Sequence, residues 1–399
     1  MNALHTHFSA KALERCYRRN RSKFHSASAA GIDAVNVHDF KDDLTENTET
    51  LSARILARRY KHKKLKAFWV PKNNGEKRWI CIPTIADRLV QRRLADVLMD
   101  EHLPAMRTGV GFGALKLSGA DAELSAIETA RLLRNQLPWV VKTDIAKFFD
   151  NLPRSSVKSS LRKVCRKTSI HWLFDGIVDV EAAGDRRNIE LMRESGIERG
   201  KGLRQGMPLS PILAHIALIS FDQFLLSRDI KFVRYVDDLI FFATSKAGAI
   251  HAFETARDWL ESNHELSVPP IGAGNTKTEI RTPTQSVEFL GIDLYPVNDS
   301  YRLRIPQEKF SKLQSRFDSQ TIVNLERPEP NQFFAAINFL RQAHKSYAGV
   351  YKNLDNWAAF SARIKELQRR GIKNISKSMC GIHLKPLSSE VFKAFGVDP

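Results

Sequence analysis

Two adjacent aspartates inside an apolar segment constrain this chain more than any other feature. Asp237 and Asp238 follow Tyr235–Val236, and apolar β-formers flank the four residues on both sides: Phe232, Val233, Leu239, Ile240, Phe241 and Phe242. The pattern predicts a β-hairpin over Lys231–Tyr235 and Leu239–Ala243, with both carboxylates at its tip. Neighbouring carboxylates repel each other, and burial adds to that cost, so a fold that keeps them together holds a cation there. An exposed turn is the alternative for a bare Asp–Asp pair.

A third carboxylate, Asp144, ends a strand predicted over Trp139–Asp144. Together, Asp144, Asp237 and Asp238 would bind two Mg²⁺ ions about 3.5–4 Å apart, with Mn²⁺ as a substitute, which is the arrangement that two-metal phosphoryl and nucleotidyl transfer requires. The twelve histidines and four cysteines show no paired spacing typical of a metal site. The sequence therefore predicts a carboxylate metal centre.

The positive charge lies in two flanks. The chain has 399 residues and a formal net charge of +18; residues 51–100 carry 13 Lys and Arg against 4 Asp and Glu, and residues 301–399 carry 17 against 8. Residues 1–50 and 101–300 are each neutral overall. Two basic flanks around a neutral centre predict that the protein grips a polyanion, with an affinity that depends strongly on salt. A solvated surface is the alternative.

Several classes of protein are disfavoured by composition. The scattered cysteines (Cys16, Cys81, Cys165, Cys380) fit a reducing compartment rather than a disulfide scaffold. Prolines and a histidine interrupt the longest apolar run, 207–221, and residues 1–10 have no apolar segment typical of a signal peptide. We expect a cytoplasmic protein without membrane association.

Periodicity predicts a mixture of helices and strands, and hence an α+β fold. A hairpin is expected over Phe68–Val70 and Trp79–Ile82, and single strands over Asn275–Ile280, Glu288–Asp293 and Tyr301–Ile305. The clearest helices are predicted over Ala10–Arg21, Ile85–Glu101, Asp121–Leu137, Pro153–Cys165, Pro211–Arg228, Ala247–Asn263, Gln332–Ser346 and Leu354–Arg370.

Seven motifs over roughly residues 50–300 resemble, in order, those of reverse transcriptases, especially the bacterial lineage that includes group II intron-encoded enzymes. They are the fingers segment 68–91, Gly111–Phe112, the carboxylate motif Lys142–Asp150, the Gln-Gly … Ser-Pro segment 202–211, Arg234–Asp238, residues 275–279, and Phe289–Gly291. The resemblance implies a right-hand polymerase. Its parts would be an N-terminal helical extension (1–50), fingers (51–138), a palm (139–300, with a fingers insertion at 151–200), a helical thumb (301–385) and a tail (386–399).

The resemblance also implies roles for individual residues in RNA-directed DNA synthesis from dNTPs. Asp144, Asp237 and Asp238 would be the metal ligands, together with the carbonyl of Ile145. Lys72 and Arg78 would clamp the triphosphate, Phe149 would exclude the 2′-hydroxyl, and Gln205 would lie along the nucleotide. Lys277 would protonate the pyrophosphate, with a solvated lysine as the alternative. Phe289, Leu290 and Gly291 would form the primer grip. Arg204, where the family often has proline, would add a cation near the nucleotide.

The C-terminal part of the sequence favours one kind of reverse transcriptase over others. About 95 residues follow Ile305, and they contain no Cys/His cluster of an endonuclease. We therefore expect a stand-alone, phage-defence-associated enzyme that copies a structured non-coding RNA, with a homo-oligomer or an accessory protein as possible further partners. The alternatives are a retron-type enzyme that makes a small DNA, a maturase-like RNA-binding protein with little polymerase activity, and a carboxylate nuclease.

Overall fold

The structure, a computed structural model, describes residues 3–26, 29–71, 75–115, 119–184, 186–272, 277–321 and 330–380. The helices are α1 Ala3–Phe8, α2 Ala10–Arg19, α3 Arg21–Ser26, α4 Val37–Asp42, α5 Leu44–Leu56, α6 Ile85–Glu101, α7 Leu103–Met106, α8 Gly119–Gln136, α9 Phe148–Asn151, α10 Arg154–Val164, α11 His171–Val178, α12 Arg186–Glu194, α13 Ser210–Ala217, α14 Ile219–Ser227, α15 Lys246–His264, α16 Gln307–Thr321, α17 Pro330–Tyr351 and α18 Trp357–Cys380. The strands are β1 Leu65–Pro71, β2 Lys77–Ile82, β3 Gly111–Phe112, β4 Trp139–Asp144, β5 Ala182–Ala183, β6 Lys231–Tyr235, β7 Asp238–Ala243, β8 Glu279–Arg281, β9 Val287–Phe289, β10 Ile292–Val297 and β11 Ser300–Arg304.

The chain divides into two compact units. The first comprises Met1–Leu117 and Val141–Ile280, and the second comprises Ser118–Val140 and Arg281–Pro399. Strands and helices occur in both, so the expected α+β class is confirmed.

A five-stranded sheet in the order β3-β6-β7-β4-β8 carries the two carboxylate segments identified in the sequence, the end of β4 and the β6–β7 hairpin. Strands β6 and β7 form an antiparallel hairpin, and β3 pairs with β6 in parallel. The interior positions of the hairpin hold fully buried rings, including Phe232 and Phe241, and α15 packs against β7. The apolar alternation that predicted the hairpin therefore also supplies its core.

A second sheet, in the order β2-β1-β5, contains the predicted fingers hairpin. Beside it, the buried carboxylate of Asp87 gathers donors from the preceding loop and the start of α6. The Tyr60 hydroxyl donates to Asp87 Oδ1, His62 Nδ1 bonds Oδ1 at 3.0 Å, and the Thr84 hydroxyl donates to Oδ2 at 2.7 Å. These bonds hold the pKa of Asp87 below its usual range despite the opposing effect of burial. They fix the loop that leads into β1.

The second unit has a three-stranded sheet, β11-β10-β9, and the mutually packed helices α16, α17 and α18. Arg134 of α8 is fully buried there and donates to the carbonyl of Leu294 at 2.8 Å, while its guanidinium lies 4.3 Å from the ring centroid of Tyr301. The helices expected after Ile305 are therefore present among the described residues.

Three predicted elements are wrong in detail. The strand expected over Asn275–Ile280 begins only at Glu279, because Lys277 and Thr278 lie outside any strand, and residues 275–276 are not among the described residues. The helix expected over Pro211–Arg228 is broken at Leu218 into α13 and α14. The strand expected over Glu288–Asp293 is a tight turn between β9 and β10, because Leu290 and Gly291 both have positive φ angles, 51° and 73°. Within the described residues one stretch, Ser210–Ser227, has the length and hydropathy of a membrane span, and 67% of it is buried inside the protein, as core helices are.

Candidate active site

Asp237 lies in the two-residue turn of the β6–β7 hairpin. Tyr235 is paired with Asp238, so Val236 and Asp237 form the turn itself. Val236 has a φ of 57°, which is an outlier for a β-branched residue. A positive φ at the first turn position is what the right-handed twist of the two strands requires. The turn therefore stores strain of about 1–3 kcal/mol that the surrounding structure must offset.

Hydrogen bonds from three sides hold this turn in place. The amide of Val236 donates to Phe112 O at 3.2 Å, and Arg234 Nη1 donates to Val236 O at 3.3 Å. The amide of Ile145 donates to Asp237 O at 3.0 Å. The last bond joins the hairpin turn to the residue that follows Asp144, so the two carboxylate motifs meet.

Glycines let strand β3 approach the turn. A Cβ on Gly113, whose φ is 93°, would lie 2.8 Å from Val236 Cγ2 and 3.0 Å from Tyr235 Cζ. A Cβ on Gly111 would lie 2.6 Å from Arg234 Nη2. Larger residues at these positions would displace the turn, which gives the Gly111–Phe112 motif a physical reason.

Lys277 and Asp144 form an ion pair at the end of β4. The Lys277 ammonium donates to Asp144 Oδ2, and the side chain of Asp144 is 13% exposed whereas that of Lys277 is 76% exposed. The bond to Asp144 raises the pKa of Lys277. Lys72 and residues 275–276 of the predicted motifs lie outside the described residues.

The two hairpin carboxylates are held in an unfavourable environment. Burial raises the pKa of Asp237, with Asp144 adding to the effect. Burial and the negative charge of Asp237 raise the pKa of Asp238 to about 6. A bound cation would relieve both effects, because it favours the ionised carboxylates.

The donor set of the site suits Mg²⁺. Of the described residues, no three His, Cys, Asp or Glu side chains form a preassembled metal cluster. Mg²⁺ commonly takes one or two carboxylates and completes its octahedron with water and substrate phosphates, so it does not need such a cluster. The ammonium of Lys277 on Asp144 shows that this carboxylate already accepts a cationic partner. Asp144 and Asp237 thus have the ligand chemistry of the metal that the sequence predicts, but in the described part of the chain the three predicted carboxylates, with Asp238, do not form a preassembled cluster.

Arg78 and Gln205 line one cavity of about 350 Å³, together with Lys147 and Asp150. Arg78 is on β2 of the β1–β2 hairpin, and the Gln205 carbonyl accepts from the amide of Cys81 on the same strand at 2.7 Å. The structure thus brings two of the predicted nucleotide-binding residues together. Phe149 and the three carboxylates do not line this cavity.

The loop around Gln205 corrects the expectation for Arg204. Its guanidinium is buried and donates to Glu181 Oε2 and to Glu198 O, both at 2.7 Å. Arg204 therefore fixes the loop from within the protein, and it does not line the cavity that contains Arg78 and Gln205. A sequence reveals that a cation is present, but not the direction in which it points.

Phe148 and Phe149 differ in environment although they are adjacent. Phe148 is buried in the core, while Phe149 is half-buried and lies edge to face with it at a centroid distance of 5.5 Å. The amide of Leu203 donates to Phe149 O at 2.7 Å. The backbone at the predicted sugar gate is thereby tied to the segment that contains Gln205.

The predicted primer grip is a turn in the second unit. Phe289 is buried at the end of β9, and the turn at Leu290–Gly291 leads into β10. A Cβ on Gly291 would lie 2.5 Å from Lys309 Nζ, so the side chain of Lys309, on α16, lies against this turn.

A buried ion pair lies beneath the hairpin and was not predicted from the sequence. Arg234 and Asp222 have no exposed side-chain surface, and they are bonded at 2.6 and 2.7 Å. Thr108 Oγ1 also donates to Asp222, at 2.8 Å. The sequence feature that could have indicated this pair is the position of each charge within an apolar segment: Asp222 lies in Ile219–Leu225, and Arg234 lies in Phe232–Tyr235.

Residues 70–294 match the protein family described as "Reverse transcriptase (RNA-dependent DNA polymerase)". Among curated proteins, the chain is similar to Protein YkfC of Escherichia coli (strain K12), with 25% identity over 336 residues, which are 71% of this chain and 81% of YkfC.

Several solved structures are also similar at low identity. The apo telomerase from Candida tropicalis shares 15% identity, with a TM-score of 0.41, and the alignment covers 84% of this chain and 69% of that one. Telomerase from Candida albicans in complex with a fragment of telomeric RNA shares 14% identity, with a TM-score of 0.38. The alignment covers 85% of this chain and 64% of that one. A chain of a partial Cas6-RT-Cas1–Cas2 complex shares 19% identity, with a TM-score of 0.37. The alignment covers 66% of this chain and 44% of that one, so this chain spans less than half of that protein's length.

Proposed function

The chain belongs to the reverse transcriptase (RNA-dependent DNA polymerase) family, and we propose that it copies a structured non-coding RNA into DNA with two Mg²⁺ ions, as a stand-alone enzyme of the group II intron-like lineage in anti-phage defence. The family match identifies the chain as an RNA-directed DNA polymerase. The lineage, the metal, the RNA and the defence role are the proposal.

The observation that carries the metal site is the junction of the two carboxylate motifs. The bond from Ile145 N to Asp237 O places the end of β4 against the hairpin turn, where burial disfavours free carboxylates. Asp144 and Asp237 would hold Mg²⁺ with the carbonyl of Ile145, and Asp238 would supply the third carboxylate. The chemistry that ions bound there would supply is a lower pKa for the primer 3′-hydroxyl and stabilisation of the charge on the leaving pyrophosphate. Mn²⁺ has the ligand preference to substitute.

The protein's own groups would bind and orient the nucleotide. Arg78, with Lys72, would bind the triphosphate, because a guanidinium makes charge-assisted bonds to phosphate oxygens. Gln205 lines the same cavity as Arg78 and would contact the nucleotide beside it. The half-buried ring of Phe149 would occupy the space that the 2′-hydroxyl of a ribonucleotide needs, and would therefore exclude ribonucleotides. Lys277 would deliver a proton to pyrophosphate, since its ammonium already lies at Asp144.

Charge supports RNA as the partner of the whole chain. The basic segments 51–100 and 301–399 supply the excess of cations that a phosphate backbone requires. We propose that the fingers occupy 51–138, the palm 139–300 and the helical thumb 301–385, after an N-terminal extension over 1–50 and before a tail over 386–399. Phe289, Leu290 and Gly291 would support the primer. We also propose a cytoplasmic location, with a second copy or an accessory protein as a further partner.

Primer extension on poly(rA)/oligo(dT) with Mg²⁺ tests the proposal. Wild type is expected to incorporate dTMP, and Asp237→Asn is expected to lose this activity, because the amide keeps the shape but not the charge. The matched control is Asp258→Asn, whose side chain is 66% exposed on α15. Equal incorporation by wild type and Asp237→Asn would remove the proposed site.

A further inference from the structure

A second basic cavity lies in the first unit, and the polymerase site does not use it. It encloses about 470 Å³ next to the loop that enters β1. Four cations from two segments of the chain line it, and so do two aromatic side chains, Tyr60 and Trp172. The cations are Arg58, Lys61, Lys64 and Arg199. No lining residue is shared with the cavity that contains Arg78 and Gln205.

The charge of this cavity is not neutralised internally. Its two acidic residues bond elsewhere: Glu181 pairs with Arg154 and Arg204, and Asp179 with Lys158. Within the described part of the chain, no carboxylate lies at ion-pair distance from any of the four cations named above. A concave group of exposed cations without partners is a site for an anionic ligand.

The wall of the cavity is rigid. His62 is fixed between the Asp87 carboxylate, at 3.0 Å, and the carbonyl of Leu173, at 3.1 Å. A Cβ on Gly176 would lie 2.9 Å from His62 Cδ2, so α11 packs closely on this ring. Trp172 Nε1 donates to Ser169 O at 3.1 Å, which sets the orientation of the indole. The ligand would meet groups that are already ordered, and preorganisation lowers the cost of binding.

We propose that this cavity binds a single-stranded segment of the template RNA, with phosphates on Lys61, Lys64 and Arg199 and a base against Trp172. The inference rests on the proposed function, in which RNA is the partner. Cations beside an aromatic ring are the combination that recognises single-stranded nucleic acid. A cavity with four cations takes more than one phosphate, so a strand fits better than a nucleoside monophosphate, and a nucleoside triphosphate is the competing occupant that the test must exclude. The cavity would anchor the RNA outside the polymerase site.

The test measures binding of a 20-nucleotide single-stranded RNA of mixed sequence by fluorescence anisotropy, without dNTPs, over a range of salt. The variant is Lys61→Ala/Lys64→Ala/Arg199→Ala. The matched control is Lys11→Ala/Lys163→Ala/Lys246→Ala, which removes the same charge from exposed positions on α2, α10 and α15. Each lost phosphate contact on a single strand lowers the slope of log affinity against log salt by about 0.7, so the cavity variant should lower it by about 2.

The control variant should leave the salt slope close to that of wild type. If both variants change the slope and the affinity equally, only net charge matters, and the proposal is overturned. ATP distinguishes the source of the phosphate. Displacement of the RNA by ATP at concentrations near the RNA's own dissociation constant would assign the cavity to a free nucleotide, and would also overturn the proposal.

Trp172 gives an independent test of stacking. Trp172→Ala should weaken RNA binding about 5- to 150-fold, the range that corresponds to the loss of one stacked base, and Trp172→Phe should restore most of it. Thermal unfolding of both variants identifies any loss of folded protein. Affinity that is unchanged in folded Trp172→Ala would contradict the stacking contact. Extension of poly(rA)/oligo(dT) by wild type is measured in parallel, so failure of the polymerase assignment is separate from failure of this binding site.

Discussion

Arg234 donates from Nε and Nη2 to the two carboxylate oxygens of Asp222, at 2.7 and 2.6 Å, and neither side chain is exposed. The remaining guanidinium nitrogen, Nη1, reaches the carbonyl of Val236, the strained residue next to Asp237. The ion pair therefore connects α14 to the turn that carries the carboxylates. It offsets part of the strain at that turn.

Breaking this pair should destabilise the protein. Asp222→Ala leaves a buried guanidinium without its partner, so the free energy of unfolding in urea should fall by about 3–5 kcal/mol. Asp258→Ala, which removes the exposed partner of Arg257, should change it by at most about 1 kcal/mol. Similar losses in the two variants would show that the buried pair has no special role.

Gly113 should be required for the geometry of the turn. Gly113→Ala places a methyl group 2.8 Å from Val236 Cγ2, so kcat for dTMP incorporation should fall. Gly109→Ala is the control, because Gly109 also has a positive φ, 79°, but a Cβ there meets nothing within 4 Å. Both variants carry the cost of a left-handed alanine. Equal kcat values in the two variants would contradict the role given to Gly113.

Phe149 should control the choice of sugar. Phe149→Val is expected to admit ribonucleotides, which is measured as the ratio of kcat/KM for dTTP and UTP on an RNA template. Phe148→Val, one residue away in the core, should lower stability and leave that ratio unchanged, because its ring is buried. An unchanged ratio in Phe149→Val would assign the sugar gate elsewhere.

Lys277 should act as an acid. Lys277→Leu is expected to slow single-turnover incorporation about 10²- to 10⁴-fold, and Lys277→Arg to retain more of the rate. The solvent deuterium isotope effect of wild type should disappear in Lys277→Leu, because the proton donor is lost. A slow Lys277→Leu variant that keeps the full isotope effect would contradict the role of Lys277 as proton donor, and its ion pair with Asp144 would then be its remaining role.

His215 should make the protein less stable in acid. Burial, together with the nearby Arg234, lowers the pKa of His215 from 6.5 to about 4. The unfolded chain takes up this proton below pH 6.5 and the folded chain only below about pH 4, so stability is full above pH 6.5 and is lost as pH falls towards 4. Between pH 7.5 and 4.5 the contribution is about 2–3 kcal/mol. Urea unfolding of wild type and His215→Gln at the two pH values measures it, and an identical pH dependence would contradict it.

The sequence predicted the parts of the fold that depend on local pattern. The apolar periodicity predicts both the β6–β7 hairpin and the helix Ile85–Glu101. The observed bounds of these elements are nearly those expected. The turn at Leu290 was not predictable, because leucine rarely adopts a positive φ and its presence in a sequence does not indicate a turn. The break at Leu218 likewise depends on packing rather than on a proline or glycine.

At the site, the sequence identified the residue types but not their partners. Asp144 and Asp237 stand out because each carboxylate interrupts an apolar segment. The contact of Arg204 with Glu181, and that of Arg234 with Asp222, depend on how separate elements pack. Pairings across the chain are set by tertiary structure, which one sequence does not reveal.

Single-turnover incorporation of dTMP on one RNA template, measured for wild type and Asp144→Asn over a series of Mg²⁺ concentrations, tests the central claim most directly. The rate of wild type should rise with Mg²⁺ and saturate, and the rate of Asp144→Asn should be at least about 100-fold lower, equivalent to roughly 3 kcal/mol of lost transition-state stabilisation. Equal rates and equal Mg²⁺ dependence in the two proteins would contradict the claim that these carboxylates form the polymerase site.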